Sequence, residues 1–555
     1  MQQTKGRTAK KENFVKQAGI LAVAGIIVRI IGLLYRSPLT SIIGDEGNGY
    51  YTFAYNIYVI ILLISSYSIP SAISKVMAQR LAFEEYKNAY RLFYTAVGYV
   101  IVVGGLASLF AFFAAPFLVV ENAVLVLRFF APTIFLSGLL GVLRGYFQAH
   151  RTMTPTSFSQ ILEQIANAAV SIGAAYLFIH FTLPIMGSPN AEDTTDRAVR
   201  GALGSSLGTG IGVLIALIFM FILFMRNHNE RKYLMEIDRT KKMDIETYGS
   251  LLKTILTIVT PFILSTFIYN FSTSMNQTVY AKVMMKYHAF TQVEAATNYG
   301  IFAGKAVVIA NIPIAFSSAM ASALIPGISA SFAKGEKKST KEKVSLATKV
   351  TMLIAIPSAF GFLFLAKPIM QLLFPQKASL DTASALLRAL AVTVVFYSLS
   401  TLTNAILQSI GKVTAPVVHA SIALVVQAIV LVIGLFTLKH SLYALVLAQI
   451  AYSFVMCLLN GYAVRKHLRF RQRPQRVYIL PTIASLIMGA LAFATYRLLN
   501  LAVASNVICL AAAIFVAVLV YFTLVIKLHI VGERQLLAIP KGTSIVRFAK
   551  KLKLL

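Results

Sequence analysis

The sequence predicts an all-α membrane protein of about fourteen transmembrane helices, and three observations carry that fold class. The 555 residues are 57% hydrophobic and only 13% charged, against roughly 25% charged in soluble domains, and the mean hydropathy is +0.74. Apolar runs of about twenty residues or more recur from end to end, each long enough to cross a hydrocarbon layer of ~30 Å. The basic residues concentrate in alternate connections between those runs, as topology demands of a chain that crosses and recrosses a membrane.

Taken in order, the apolar spans are 17–39, 50–70, 91–114, 123–147, 156–181, 201–225, 251–274, 297–325, 346–366, 382–408, 414–437, 441–464, 478–498 and 504–527. An even count puts both termini on one side. The basic clusters choose the side: Lys5, Arg7, Lys10, Lys11 and Lys16 before span 1; Lys75, Arg80, Lys87 and Arg91 after span 2; Arg226, Arg231, Lys232, Arg239, Lys241 and Lys242 after span 6. Lys334, Lys337, Lys338, Lys341 and Lys343 follow span 8, Arg465 to Arg476 follow span 12, and Lys550, Lys551 and Lys553 end the chain. The opposite connections carry few cations and several acids, among them Asp45, Glu46, Glu121, Glu192, Asp193 and Asp196. The positive-inside bias therefore predicts cytoplasmic N and C termini.

A repeat divides the spans. Ile69-Pro70-Ser71-Ala72-Ile73-Ser74 recurs as Ile325-Pro326-Gly327-Ile328-Ser329, Ala115-Pro116-Phe117 as Lys367-Pro368-Ile369, and Gln148 and Pro155 as Gln408 and Pro416, at offsets of 256, 252 and 261 residues. Near-constant offsets mark duplication. Six helices per repeat is an even number, so the two lobes run parallel, an arrangement of transporters with a substrate site near the midplane between the halves. The predicted organisation is a cytoplasmic tail 1–16, an N-lobe 17–225, a cytoplasmic linker 226–250, a C-lobe 251–464, a cytoplasmic loop 465–477, two extra helices in 478–527 and a cytoplasmic tail 528–555.

Several functions are disfavoured. The net charge of +31 is spread through short loops and forms no basic module, so nucleic acid is not an expected partner. Cys457 and Cys509 sit inside apolar runs, too few for a disulfide framework or a zinc site. No P-loop, nucleophile elbow or acidic metal pair is found. No cleavage site follows the first apolar run, which reads as a retained helix. Neither metal nor cofactor is expected.

The candidate functional residues are the polar ones inside spans, because a charge at the bilayer centre costs at least ~2.5–3.5 kcal/mol. Arg29 lies past the midplane of span 1, ~20 Å from its start, and Arg36 follows two turns later on roughly the same face. Both either face a cavity or snorkel outward. Lys305 in span 8 has the same two readings, and could face Arg29 across an inter-repeat cavity. Span 5 carries Gln160, Glu163, Gln164, Asn167 and Ser171 as one stripe. Its role is either interhelical hydrogen bonding or a functional site in which Glu163 pairs with an arginine, titrates or binds a cation. Asn270, Ser272, Thr273, Ser274, Asn276 and Gln277 in span 7 read as cavity lining or a broken helix end. Arg144, Arg151 and Arg388 read as interface anchors.

Beside this reading stands a resemblance. Val28-Arg29-Ile30-Ile31-Gly32-Leu33, Ile43-Gly44-Asp45-Glu46-Gly47-Asn48-Gly49-Tyr50-Tyr51 and Ser68-Ile69-Pro70-Ser71-Ala72-Ile73-Ser74-Lys75 resemble the multidrug/oligosaccharidyl-lipid/polysaccharide exporter superfamily. The likeness points to its branch of stage V sporulation protein B and MviN-type lipid-linked murein precursor flippases. The resemblance implies a cationic cavity to which Arg29, Arg36 and, approximately, Lys305 contribute. It implies an acid near the start of span 2, met by Asp45 or Glu46, and a lipid-tail groove at spans 13 and 14. The implied activity is alternating-access export of an undecaprenyl-pyrophosphate-linked glycan, above all lipid II, from inner to outer leaflet. Its partners would be that substrate, membrane lipids and cell-wall synthesis proteins, with coupling to the membrane potential or a monovalent cation left open. A cation-coupled multidrug exporter is the first alternative, expected to want acids and aromatics in its cavity. A membrane glycosyltransferase or polymerase is the second; it would want a large outer loop or an acidic catalytic cluster.

Overall fold

A computed structural model describes residues 23–531, apart from 26, 67–68, 151, 191, 239–244, 413, 439–440, 470–471, 473 and 504. The expected tail 1–16 and residues 532–555 of the expected tail 528–555, with Arg151, Arg239, Lys241, Lys242, Arg471 and Arg473, lie outside the described residues. Those described are helical nearly throughout, and the one β-bridge among them joins Leu183 to Gly187.

Twelve described helices are long and apolar enough to cross a membrane. A shorter apolar helix, α1 (Val23–Leu34), precedes them. Next come α2 (Arg36–Ser65), α3 (Ile69–Ala82), α4 (Tyr86–Tyr99), α5 (Gly105–Leu118), α6 (Val124–Ala149), α7 (Thr154–His180), α8 (Thr194–Arg226) and the short α9 (His228–Glu236). The 40-residue α10 (Tyr248–Tyr287) leads to α11 (Gln292–Tyr299). The rest is α12 (Val307–Ala333), α13 (Lys337–Leu373), α14 (Lys377–Ser409), α15 (Thr414–Thr437), α16 (Ser441–Leu468), α17 (Leu480–Ala502) and α18 (Asn506–Lys527). The protein is a multi-pass membrane protein.

The chain is more helical than hydropathy suggests at one place. The stretch between spans 1 and 2, expected as a connection, is helix broken only at Gly44, whose φ of 71° and ψ of −179° turn the chain where a side chain would be strained. Single π turns, Val100–Gly104 and Gly300–Ala306, join α4 to α5 and α11 to α12. Both keep the helix running while shifting its register.

The chain forms two compact units, Met1–Gly300 and Ile301–Leu555. In the first, α7 and α8 pack most extensively, because Gly204, Gly208 and Gly212 form a side-chain-free row on α8. A Cβ at Gly208 would stand 2.1 Å from Ser171 Oγ, and one at Gly204 2.5 Å from the Ala174 backbone. Close backbone approach of this kind is how helices associate in lipid, where apolar burial drives little. Helix α10, which the repeat counts as the opening helix of the second lobe, packs on α2, α3 and α4 within this first unit. Its polar C-terminal half supplies the glue. Gln277 Nε2 donates to the Phe53 carbonyl at 2.9 Å, and Asn56 Nδ2 donates to Gln277 Oε1 at 2.6 Å.

In the second unit α12, α13, α14 and α16 pack on one another, and α15 packs mainly on α16. The extra pair, α17 and α18, rests on α13. Tyr521 donates to the Leu353 carbonyl at 3.1 Å, Asn506 Nδ2 donates to the Pro368 carbonyl at 3.0 Å, and Gly489 lets α17 close on the Phe364 ring.

Candidate functional site

A cavity of about 660 Å³ lies inside the first unit. Its walls come from α1, α2, α3, α6, α7, α8 and α10, and four of its lining residues are the span-5 stripe: Gln160, Glu163, Gln164 and Asn167. The stripe has a simple origin. Residues three and four apart share a helix face, and the glycine row of α8 fixes which face of α7 is left for the cavity. Ser171, the stripe's last member, is buried and donates to the Ser205 carbonyl at 3.0 Å. Asn167 Oδ1 accepts from Ser171 at 3.0 Å and from Thr209 at 3.4 Å.

Two guanidinium groups enter the cavity. Arg36 lies just past the α1–α2 junction among Tyr35, Tyr51 and Tyr55. Among the described residues no salt bridge uses Arg36. Arg144, near the end of α6, donates from Nη2 to Glu163 Oε2 at 2.7 Å and from Nε to Ser159 Oγ at 3.0 Å. Its side chain is 15% exposed, against 29% for Glu163. Arg144 is therefore not the interface anchor that its place near a span end suggested: it lines the cavity and neutralises the acid there. The two arginines and one glutamate leave one net positive charge among the described lining residues. Tyr51, Tyr55 and Tyr58 give the cavity an aromatic wall, with Phe130 behind it at 4.9 Å centroid separation from Tyr58.

The other predicted residues are dispersed. Asn270 of α10 lines the cavity. Arg29 does not: its side chain is exposed on α1 and lies outside the residues that line the cavity. The wall of α1 begins one turn later at Gly32, where a Cβ would stand 3.2 Å from Gln164 Nε2. Lys305 belongs to the second unit and is 1% exposed. Its ammonium donates to Gln376 Oε1 at 3.1 Å and Ser379 Oγ at 2.8 Å, 5.7 Å from the Phe374 ring centroid. Both acceptors belong to the same second unit. Asp45 and Glu46 follow the Gly44 corner. Glu46 accepts from Tyr50 at 3.0 Å, and Tyr50 accepts from Asn122 at 2.9 Å, a chain that ties α2 to the turn before α6.

Two family profiles match the chain, one in each part. Residues 14–189 match the family described as Polysaccharide biosynthesis protein, and residues 303–433 match MatE. Over 495 residues the chain is 22% identical to the Lipid II flippase MurJ of Bacillus subtilis, covering 85% of this chain and 86% of that protein. It is 23% identical to Stage V sporulation protein B of the same organism, covering 97% and 100%. Along most of its length the chain is similar to members of the multidrug/oligosaccharidyl-lipid/polysaccharide exporter superfamily. A solved superfamily structure, a lipid II flippase MurJ in an inward closed conformation, superposes with a TM-score of 0.61 at 14% identity, covering 91% of this chain and 97% of that one. The shared fold extends to the helices of both units. At superfamily level the protein is a transporter of the bacterial plasma membrane.

Proposed function

We propose that the protein is a flippase that moves an undecaprenyl-pyrophosphate-linked glycan, most specifically lipid II, from the inner to the outer leaflet by alternating access. The observation that carries this reading is the cavity chemistry. Arg36 is ringed by phenols, and the one acid in the described lining, Glu163, is already held by Arg144 at 2.7 Å. A pyrophosphate suits Arg36, whose planar fork binds phosphate oxygens in pairs and is worth most where water is scarce. The amide-bearing side chains of Gln160, Gln164, Asn167 and Asn270 suit sugar hydroxyls, and the tyrosine wall suits sugar faces. A negative cell interior favours outward movement of an anion by ~2.3 kcal/mol per charge per 100 mV, so the membrane potential is a sufficient bias. Spans 13 and 14, here α17 and α18, are assigned the lipid tail. Both termini are assigned to the cytoplasm.

A cation-coupled drug exporter, the reading favoured by the MatE match, would need Glu163 free to bind or release a cation, and Arg144 competes for that carboxylate. Lipid extraction and mass spectrometry of the purified protein tests the proposal. A polyprenyl-pyrophosphate glycan is expected with the wild type and is expected to be lost with Arg36→Ala. Recovery of phospholipid alone, together with saturable binding of a cationic drug, would transfer the cavity to the exporter reading.

A further inference from the structure

A second hollow, of about 400 Å³, lies in the second unit where the ends of α13, α14 and α16 meet the turn before α17. Its inner wall is apolar, from Val344, Leu399, Ile406 and Val464. Its outer wall is α16, where Leu458 and Tyr462 are 54% and 67% exposed. On a helix inside a bilayer such exposure is toward lipid. One end carries Arg465, in a last helical turn that also holds Lys466 and His467. Tyr478 and Gln472 complete that end, the latter accepting from Ser345 Oγ at 3.4 Å. Arg476 lies in the same short helical turn, Gln475–Ile479, as the lining Tyr478. No acid is among the described lining residues.

The repeat provides an internal control. The corresponding helices of the first unit, α4, α6 and α8, enclose a hollow of about 390 Å³ at the same place. There the chain supplies its own cap. Helix α9 folds beneath, Glu230 lines the hollow, and Arg231 is buried against the Phe224 ring, 3.8 Å from its centroid, donating to the Phe224 carbonyl. The second unit has no such helix among its described residues, and Arg465 at the end of its hollow meets no acid among the described lining residues.

We infer that the hollow of α13, α14 and α16 binds one anionic phospholipid, its phosphate held at Arg465 and Arg476 and an acyl chain lying between the apolar inner wall and Tyr462. Apolar depth, a lateral face toward lipid and a cationic end at the polar boundary fit that ligand; a free phosphate would use only the last of them. Basic pockets between helix ends are where acidic headgroups settle.

The chain contains no tryptophan, so Tyr462→Trp places a single fluorophore at the hollow, and Leu458→Trp provides a second reporter should the first fold poorly. The full-length protein is reconstituted with phosphatidylcholine and increasing dibrominated phosphatidylglycerol, or with dibrominated phosphatidylcholine alone. Quenching by the anionic lipid is expected to saturate at a mole fraction at least fivefold lower. Adding Arg465→Gln and Arg476→Gln should bring both lipids to the same curve. Equal quenching by the two lipids, a preference that survives both glutamine variants, or relief of quenching by millimolar inorganic phosphate would overturn the assignment.

Discussion

Arg36 and Lys305 are both cations in membrane-spanning helices, and the sequence ranks them alike; the structure separates them. Lys305 is enclosed at 1% exposure, with Gln376 and Ser379 accepting from its ammonium. Arg36 borders a cavity of about 660 Å³. A charge whose donors are consumed by its own helices has been compensated for folding. A charge presented to a cavity large enough for a ligand has been kept for something else. The same contrast holds between the repeats. Helix α7 offers Gln160, Glu163, Gln164 and Asn167 to its cavity, whereas the positions 261 residues on in α15 are Ser421, Leu424, Val425 and Ala428. The polar stripe belongs to one half.

The largest expected effect follows directly. Arg36→Ala should lower export of the lipid-linked substrate ~100-fold, the consequence of losing a few kcal/mol from one poorly hydrated charge contact, while the protein reaches the membrane in normal amount. Arg36→Lys should recover only part, since lysine keeps the charge but not the fork. Next in size is the ion pair: Glu163→Gln and Arg144→Gln should each impair export, and the exchange Arg144→Glu with Glu163→Arg should restore some of it, because the pair then re-forms across the same gap. Recovery would be read in cells that depend on each variant.

Lys305→Met should act on stability and leave export nearly intact. It strands the acceptors of Gln376 and Ser379, a penalty of ~1–3 kcal/mol, seen as a lower melting temperature of the purified protein. Arg29→Ala should fall between wild type and Arg36→Ala, because Arg29 lies outside the cavity lining. If Lys305→Met or Arg29→Ala stopped export as completely as Arg36→Ala, the comparison between the cations would collapse.

How much of this was legible in the sequence follows from the range of each signal. Hydropathy sees twenty residues at a time, and it placed the apolar helices well. It could not see that the stretch around Gly44 stays helical, because its glycines pack against α8 and α11, far along the chain: a Cβ at Gly47 would stand 2.9 Å from the Ala198 carbonyl oxygen. The stripe on α7 was legible because its spacing of three and four is local. The partner of Glu163 was not: Arg144 lies on a different helix, and its position near the end of an apolar run looked like an anchor. The partners of Lys305 were hidden for the same reason. A buried charge is visible in sequence, but the groups that satisfy it, Gln376 and Ser379, lie 71 and 74 residues away.

The smallest expected effect is topological and should leave activity unchanged. Single cysteines at Ser339 and Gln472 should label only from the cytoplasm, and one at Asn190 only from outside. Labelling of Asn190 and Ser339 from the same face would break the fourteen-span alternation on which the leaflet assignments rest.

The central claim is that this cavity carries a lipid-linked glycan pyrophosphate outward and depends on Arg36 to do so. A leaflet-resolved assay of the precursor, in cells where this protein is the sole route across the membrane, tests it most directly. The wild type should move the precursor to the outer leaflet, and Arg36→Ala should leave it on the inner leaflet at undiminished protein levels. Outward movement at the wild-type rate with Arg36→Ala, or a wild type that leaves the precursor inside while expelling cationic drugs, would contradict the account.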